Sequence, residues 1–318
     1  MNNSSSNENV DSQTLLNQIV IEHLRDQKRK RRWRWFFRIA ILLLILFAFY
    51  CFFSSDDDKS LRAKPHVGLI DITGSILDIQ AGSAENFAKS LDEAYINSNN
   101  LKALILRINS PGGSPVQADY MYNSIQYYRK KYPDIKIYAV CVDMCASAAY
   151  YFAAAADEIY ANPSSIVGSI GVLYNGFGFV DALQKLGVSR RLQTAGINKG
   201  FLDPFSPTTS DQAKILQTIL DDIHTIFIKK VKEGRGTRLK IDDLTFSGLF
   251  WTGEQAKERG LIDGFASSGQ VAREIVNIDH IVDYTYKQSV FERVAKNIGT
   301  AIADQLPLAM GMQPGIKA

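Results

Sequence analysis

Three short segments of this 318-residue chain hold residue types suited to nucleophilic chemistry. Asn109-Ser110-Pro111-Gly112-Gly113 follows an apolar run, Leu104 to Ile108, that reads as a buried strand. Paired glycines let backbone amides approach a ligand closely, which suits an anion site lined by N–H groups. Alone, the segment is equally an ordinary loop. Met144 to Tyr151 (MCASAAYY) sets one serine, Ser147, among small residues where a strand gives way to a helix. Free amides at a helix N-terminus face the space above such a hydroxyl. The plain alternative is an N-cap serine packed among alanines. Asn162 to Val172 (NPSSIVGSIGV) holds Ser169 in a tight apolar stretch, with room for one hydrogen bond. Cys141 and Cys145 lack a third or fourth ligand nearby, so no metal is expected. A disulfide and simple core packing are both open to them.

The elements that must position these segments alternate in type. Val67 to Ile72 reads as a buried strand, and Ala84, Phe87, Ala88, Leu91 and Tyr95 fall at helical spacing. The Leu104 strand precedes a helix from about Val116 to Lys131; Ile135 to Val142 and Glu158 to Ala161 are further strands. Asp211 to Lys232 is a long amphipathic helix, with Ile215, Ile219, Ile223, Ile226 and Phe227 on its apolar side. Such alternation predicts an α/β domain with a mainly parallel sheet covered on both faces.

Ahead of this domain lies an apolar run, Ile39 to Phe53, free of charge, Gly and Pro. Extended back to Trp35, with Arg38 snorkelling to the headgroups, it is long enough to span a bilayer. Eight basic residues against one acid lie between Arg25 and Arg38, a surplus of seven in a chain whose total is +3, which leaves −4 for the rest. The basic flank predicts residues 1–34 as a cytoplasmic tail and the bulk of the chain outside the cytoplasmic membrane. The competing readings are a buried core helix and a cleaved signal peptide, although no small-x-small cleavage site ends the run. The expected organisation is a tail over 1–34, a transmembrane helix over 35–53 and a linker over 54–65. A catalytic domain over 66–285 and a C-terminal helical extension over 286–318 follow. An acidic body argues against nucleic acid as a partner.

Taken together the segments resemble the signal peptide peptidase A family, membrane-anchored serine proteases of the S49 type. The resemblance rests on INSPGG at 108–113, AS followed by YY within 146–151, ANPSSIVGSIGVL at 161–173 and FWTGEQAKERGLIDG at 250–264. It implies a ClpP/crotonase-like fold and a serine–lysine dyad without a cofactor. Ser147 matches the nucleophile, and Lys199, in AGINKGFLDPFSP, the general base. Ser169 matches the serine that orients the lysine, while the amides of Gly113 and Ala148 match the oxyanion hole. It further implies hydrophobic peptide substrates such as signal-peptide remnants, contact with membrane lipid, and a homo-oligomer. Two departures stand out: Ala148 and Ala149 replace glycines often found after the nucleophile, and Leu249 or Phe250 replaces an arginine before Trp-Thr-Gly. None of the four histidines, His23, His66, His224 and His280, lies in a segment resembling a triad position. A lysine base needs its ordinary pKa of about 10.4 brought towards neutrality by burial. The alternatives from other classes are an acyl-CoA enzyme of the crotonase type and an inactive membrane scaffold.

Overall fold

The computed structural model describes residues 27–50, 62–78, 82–96 and 100–287. Residues 1–26 of the expected tail, 51–53 of the expected transmembrane helix, most of the linker and nearly all of the C-terminal extension lie outside the described residues. Helix α1, Gln27–Tyr50, is exposed throughout and is long and apolar enough to cross a membrane. At 1.5 Å per residue its 24 residues extend about 36 Å, against about 30 Å of bilayer core. Its described residues include most of the basic cluster, since Lys and Arg are good helix formers.

The second unit, from Arg62 onward, is built on one sheet. Its strands are β1 (His66–Thr73), β2 (Leu101–Ser110), β3 (Lys136–Ala146), β4 (Glu158–Ala161), β5 (Ile166–Gly168), β6 (Phe250–Thr252), β7 (Gly264–Phe265) and β8 (Ile281–Asp283). They lie in the order β6-β5-β3-β2-β1-β8, with β4 and β7 branching from β3. All pairings are parallel except β5 with β6. The strand β3 forks: residues 138–141 pair with β4 and residues 144–146 with β5.

Because both faces are covered, the central strands are apolar at odd and even positions alike. Ile70, Ile72, Leu104, Leu106 and Ile108 face the core formed with α2 (Ala84–Ile96), α3 (Pro115–Lys131) and α4 (Ala148–Ala153). Val67, Leu69, Ala103, Ile105, Tyr138 and Val140 face a smaller cluster closed by Val271 and Ala272. Cys141 and Cys145 are free thiols inside the larger core, so core packing accounts for them.

A short helix α5 (Val180–Lys185) and the long helix α6 (Ser210–Arg235) follow β5. A Thr209–Gln212 capping box opens α6. The apolar side expected of this helix is only partly used within the chain. Phe227 and Val231 are buried, but Ile215, Ile219 and Ile226 are exposed. Packing against α4, where Phe227 meets Tyr151 at 4.9 Å between ring centroids, holds only the C-terminal half.

That half ends in a buried ion pair. Arg235 donates from Nη1 and Nη2 to the two Asp263 oxygens at 2.8 and 2.9 Å, and from Nε to Gly260 O at 2.9 Å. Burial alone would push the Asp263 carboxyl up, yet the Arg235 guanidinium outweighs it and holds the group below its ordinary value. A carboxylate so depressed contributes stability above its unfolded-state pKa of about 3.9, and that contribution is lost as pH falls through the folded value. Asp263→Ala strands the Arg235 charge and should destabilise the domain by about 3–5 kcal/mol. Urea unfolding at pH 7 checks this, and the difference from wild type should shrink in acid.

Candidate active site

Ser147 ends β3 and opens α4, with φ 54° and ψ −124°. A non-glycine residue in that conformation is strained by about 1–3 kcal/mol and persists only where its surroundings fix it. Its N–H donates to Gly168 O at 2.8 Å and its carbonyl accepts from Tyr151 N at 3.0 Å. The side chain makes no capping hydrogen bond, so the N-cap alternative does not account for it.

The loop after β2 lies against this serine. Ser110 Oγ accepts Gly112 N–H at 3.2 Å, which turns the chain at Pro111. At Gly112, φ 106°, a Cβ would lie 2.7 Å from Ser147 Cβ and 2.9 Å from Ala148 N. At Gly113, φ 151°, it would lie 2.3 Å from Ile76 O. Only glycine permits this approach. The amides of Gly113 and Ala148 donate to no hydrogen bond among the described residues. Both residues line one cavity with Ser147.

That cavity, of about 610 Å³, also takes in Ser169. Ser169 adopts φ 52°, and its N–H donates to Leu249 O at 2.8 Å. The adjoining Gly168 rests on Trp251, whose indole stacks under the Arg259 guanidinium at 3.7 Å. The WTGEQAKERGLIDG segment thus supports the site from behind through Trp251 and Asp263 and does not line the cavity.

Four of the five expected residues, Ser147, Ser169, Gly113 and Ala148, therefore meet at one cavity. Lys199 does not. It is exposed, lies outside the cavity lining, and sits on a segment rich in uncovered apolar side chains. Ile197 is 97% exposed, Leu173 80% and Phe177 75%. The burial a lysine base needs is absent within the single chain.

One wall of the cavity was not foreseen. Helix α6 presents Gln217, Asp221, His224 and Phe227, three or four residues apart on one face. Gln217 Nε2 donates to Asp221 Oδ1 at 2.8 Å, and His224 Nε2 lies 3.0 Å from Ile170 O. A carbonyl partner makes that nitrogen the donor, so the imidazole braces the chain just after Ser169. The helical spacing was the available signal, but nothing local said that this face meets Ser147.

Comparison with known proteins bears on the family of this fold. Residues 129–283 match the model of peptidase family S49, and residues 74–167 match that of the Clp protease. A relative from Brucella abortus, named "Na(+)/H(+) antiporter NhaA", is 42% identical over 192 residues, which is 60% of this chain and 26% of that protein. This chain thus spans about a quarter of that relative's length, and the transport in its name is said of that protein. The "Putative protease slr0021" of Synechocystis is 31% identical over 62% of this chain and 68% of its own length. A protein of Enterococcus faecium, "Putative signal peptide peptidase SppA", is 26% identical over 74% and 70%. With the matched segment spanning Ser147, the cavity wall and their supports, the chain belongs to peptidase family S49, on a ClpP-like α/β fold.

Proposed function

We propose that the protein is a membrane-anchored serine endopeptidase using a Ser147–Lys199 dyad. The observation that carries the reading is the strained Ser147, its hydroxyl making no capping bond, in one cavity with the amides of Gly113 and Ala148, which donate to no hydrogen bond among the described residues. The Lys199 amine takes the proton from Ser147 Oγ, which attacks the scissile carbonyl. The Gly113 and Ala148 N–H groups bond the oxyanion as it forms, and collapse releases the amine and leaves an acyl-enzyme for water to hydrolyse. Ser169 orients the lysine.

Delivery of Lys199 requires its exposed apolar segment to be covered. A second copy of the chain supplies that cover, burying Leu173, Phe177 and Ile197 and bringing the lysine into a dry site. The active form is therefore a homo-oligomer. Its substrates are extended hydrophobic peptides, signal-peptide remnants among them, a class in keeping with the name of the Enterococcus relative. Helix α1 anchors the enzyme in the cytoplasmic membrane, with the basic cluster inside and the catalytic unit outside. Coenzyme A chemistry is without support in a family of peptidases.

A fluorophosphonate probe tests the core of this reading. The probe should form one adduct, located by mass spectrometry on Ser147 and abolished in Ser147→Ala. An adduct elsewhere, or none in protein that cleaves peptides, overturns it.

A further inference from the structure

The strand that delivers Ser147 carries an irregularity. Ile108 of β2 pairs with Cys141 of β3, and Ser110 pairs with Cys145, so β3 has two residues more than β2 across the same step. The intervening residues, Val142-Asp143-Met144 opposite Asn109, are held by side chains from both flanks. Asn109 Oδ1 accepts the Met144 N–H at 3.2 Å, and Asn109 Nδ2 donates to Asp143 Oδ2 at 2.8 Å. On the other flank the buried Ser165 hydroxyl donates to Val142 O and accepts Asn162 N–H at 3.0 Å. A carboxamide offers an acceptor and a donor side by side, which this bulge uses together.

The register downstream depends on where the bulge sits. Ala146 must face Gly168 for Ser147 N–H to reach Gly168 O, and a slip of one residue turns every later side chain to the opposite face. Ser147 sits three residues past the end of the bulge in a conformation that must be imposed on it. Asn109 itself does not line the cavity.

We infer that Asn109 is a positioning residue, whose carboxamide locks the β3 bulge in the register that aims Ser147 into the cavity. The inference rests on Ser147 being the nucleophile. Asn109→Asp keeps the size and the acceptor but sets two carboxylates face to face. It should slow fluorophosphonate labelling of Ser147 by about tenfold or more and lower kcat alike, with KM for an unstructured apolar peptide little changed. The double variant Asn109→Asp/Asp143→Asn exchanges donor and acceptor and should return both rates to within about threefold of wild type. A merely structural loss would not be repaired at the level of Ser147 reactivity by a change at exposed Asp143. Wild-type rates in folded Asn109→Asp, or a double variant no faster than the single, overturn the inference. If Asn109→Asp does not fold, Asp143→Ala carries the test: labelling slowed by about two- to fivefold supports the clamp, and an unchanged rate overturns it. Absence of any Ser147 adduct in the wild type would instead strike the nucleophile assignment, so the two failures are distinguishable.

Discussion

Lys199→Arg should abolish peptide turnover as completely as Ser147→Ala, each by about 10⁴-fold or more, while the protein still folds and assembles. Arginine keeps the positive charge and much of the reach, but a guanidinium stays protonated far above neutral pH and does not give up its proton to become a base. The rival base is His224, the histidine that lines the cavity. Its Nε2–H is committed to Ile170 O, which leaves only Nδ1 as an acceptor. His224→Gln preserves a donor towards Ile170 and removes the imidazole. On the lysine mechanism this variant should lose about tenfold or less, the scale of a displaced support and not of a missing proton acceptor. The measurement is kcat/KM on a fluorogenic apolar peptide for all three variants, with circular dichroism to show that each is folded. Substantial turnover by Lys199→Arg, together with its collapse in His224→Gln, would transfer the role of base to the imidazole.

The sheet was legible because apolar runs such as VGLIDI and LILRI have no polar face, which in a chain alternating strand with helix marks a parallel sheet buried on both sides. The close approach of backbone around Ser147 was legible for a related reason: small residues there and paired glycines at 112–113 mark places where backbone comes close to something. Other features had no local signature. The bulge at 142–144 looks in sequence like the polar end of a strand, and its partners Asn109 and Ser165 lie more than twenty residues away in opposite directions. Asp263 reads as part of a family motif, yet its bonds to Arg235 show a structural anchor. Helical periodicity gave α6 an apolar side correctly but not what covers it, and Ile215, Ile219 and Ile226 are left in the open. Periodicity reports that a face wants burial and is silent on whether the same chain provides it.

Mixing two inactive proteins should restore activity. A Lys199→Arg copy retains Ser147 and its cavity, and a Ser147→Ala copy retains Lys199. The lysine is exposed and outside the cavity of its own chain, on a segment whose apolar side chains are uncovered. Within one chain, bringing Lys199 to Ser147 would bury the amine without explaining where Leu173, Phe177 and Ile197 go. Docking the segment on a neighbour would cover those side chains and carry the lysine to the neighbour's serine in the same event. In a ring of head-to-tail contacts every copy then gives a lysine and receives one. If equal amounts of the two variants are co-assembled at random, about one site in four joins an intact serine to an intact lysine from the adjacent copy. Peptidase activity should therefore rise from background to about a quarter of wild type. Each variant alone, or the two mixed without subunit exchange, should stay at background. If the dyad forms within one chain, no mixture recovers activity, because every Ser147 then sits permanently beside an arginine. Recovery on co-assembly would make oligomerisation a condition of catalysis, so that dilution below the association range should extinguish turnover while leaving the fold intact.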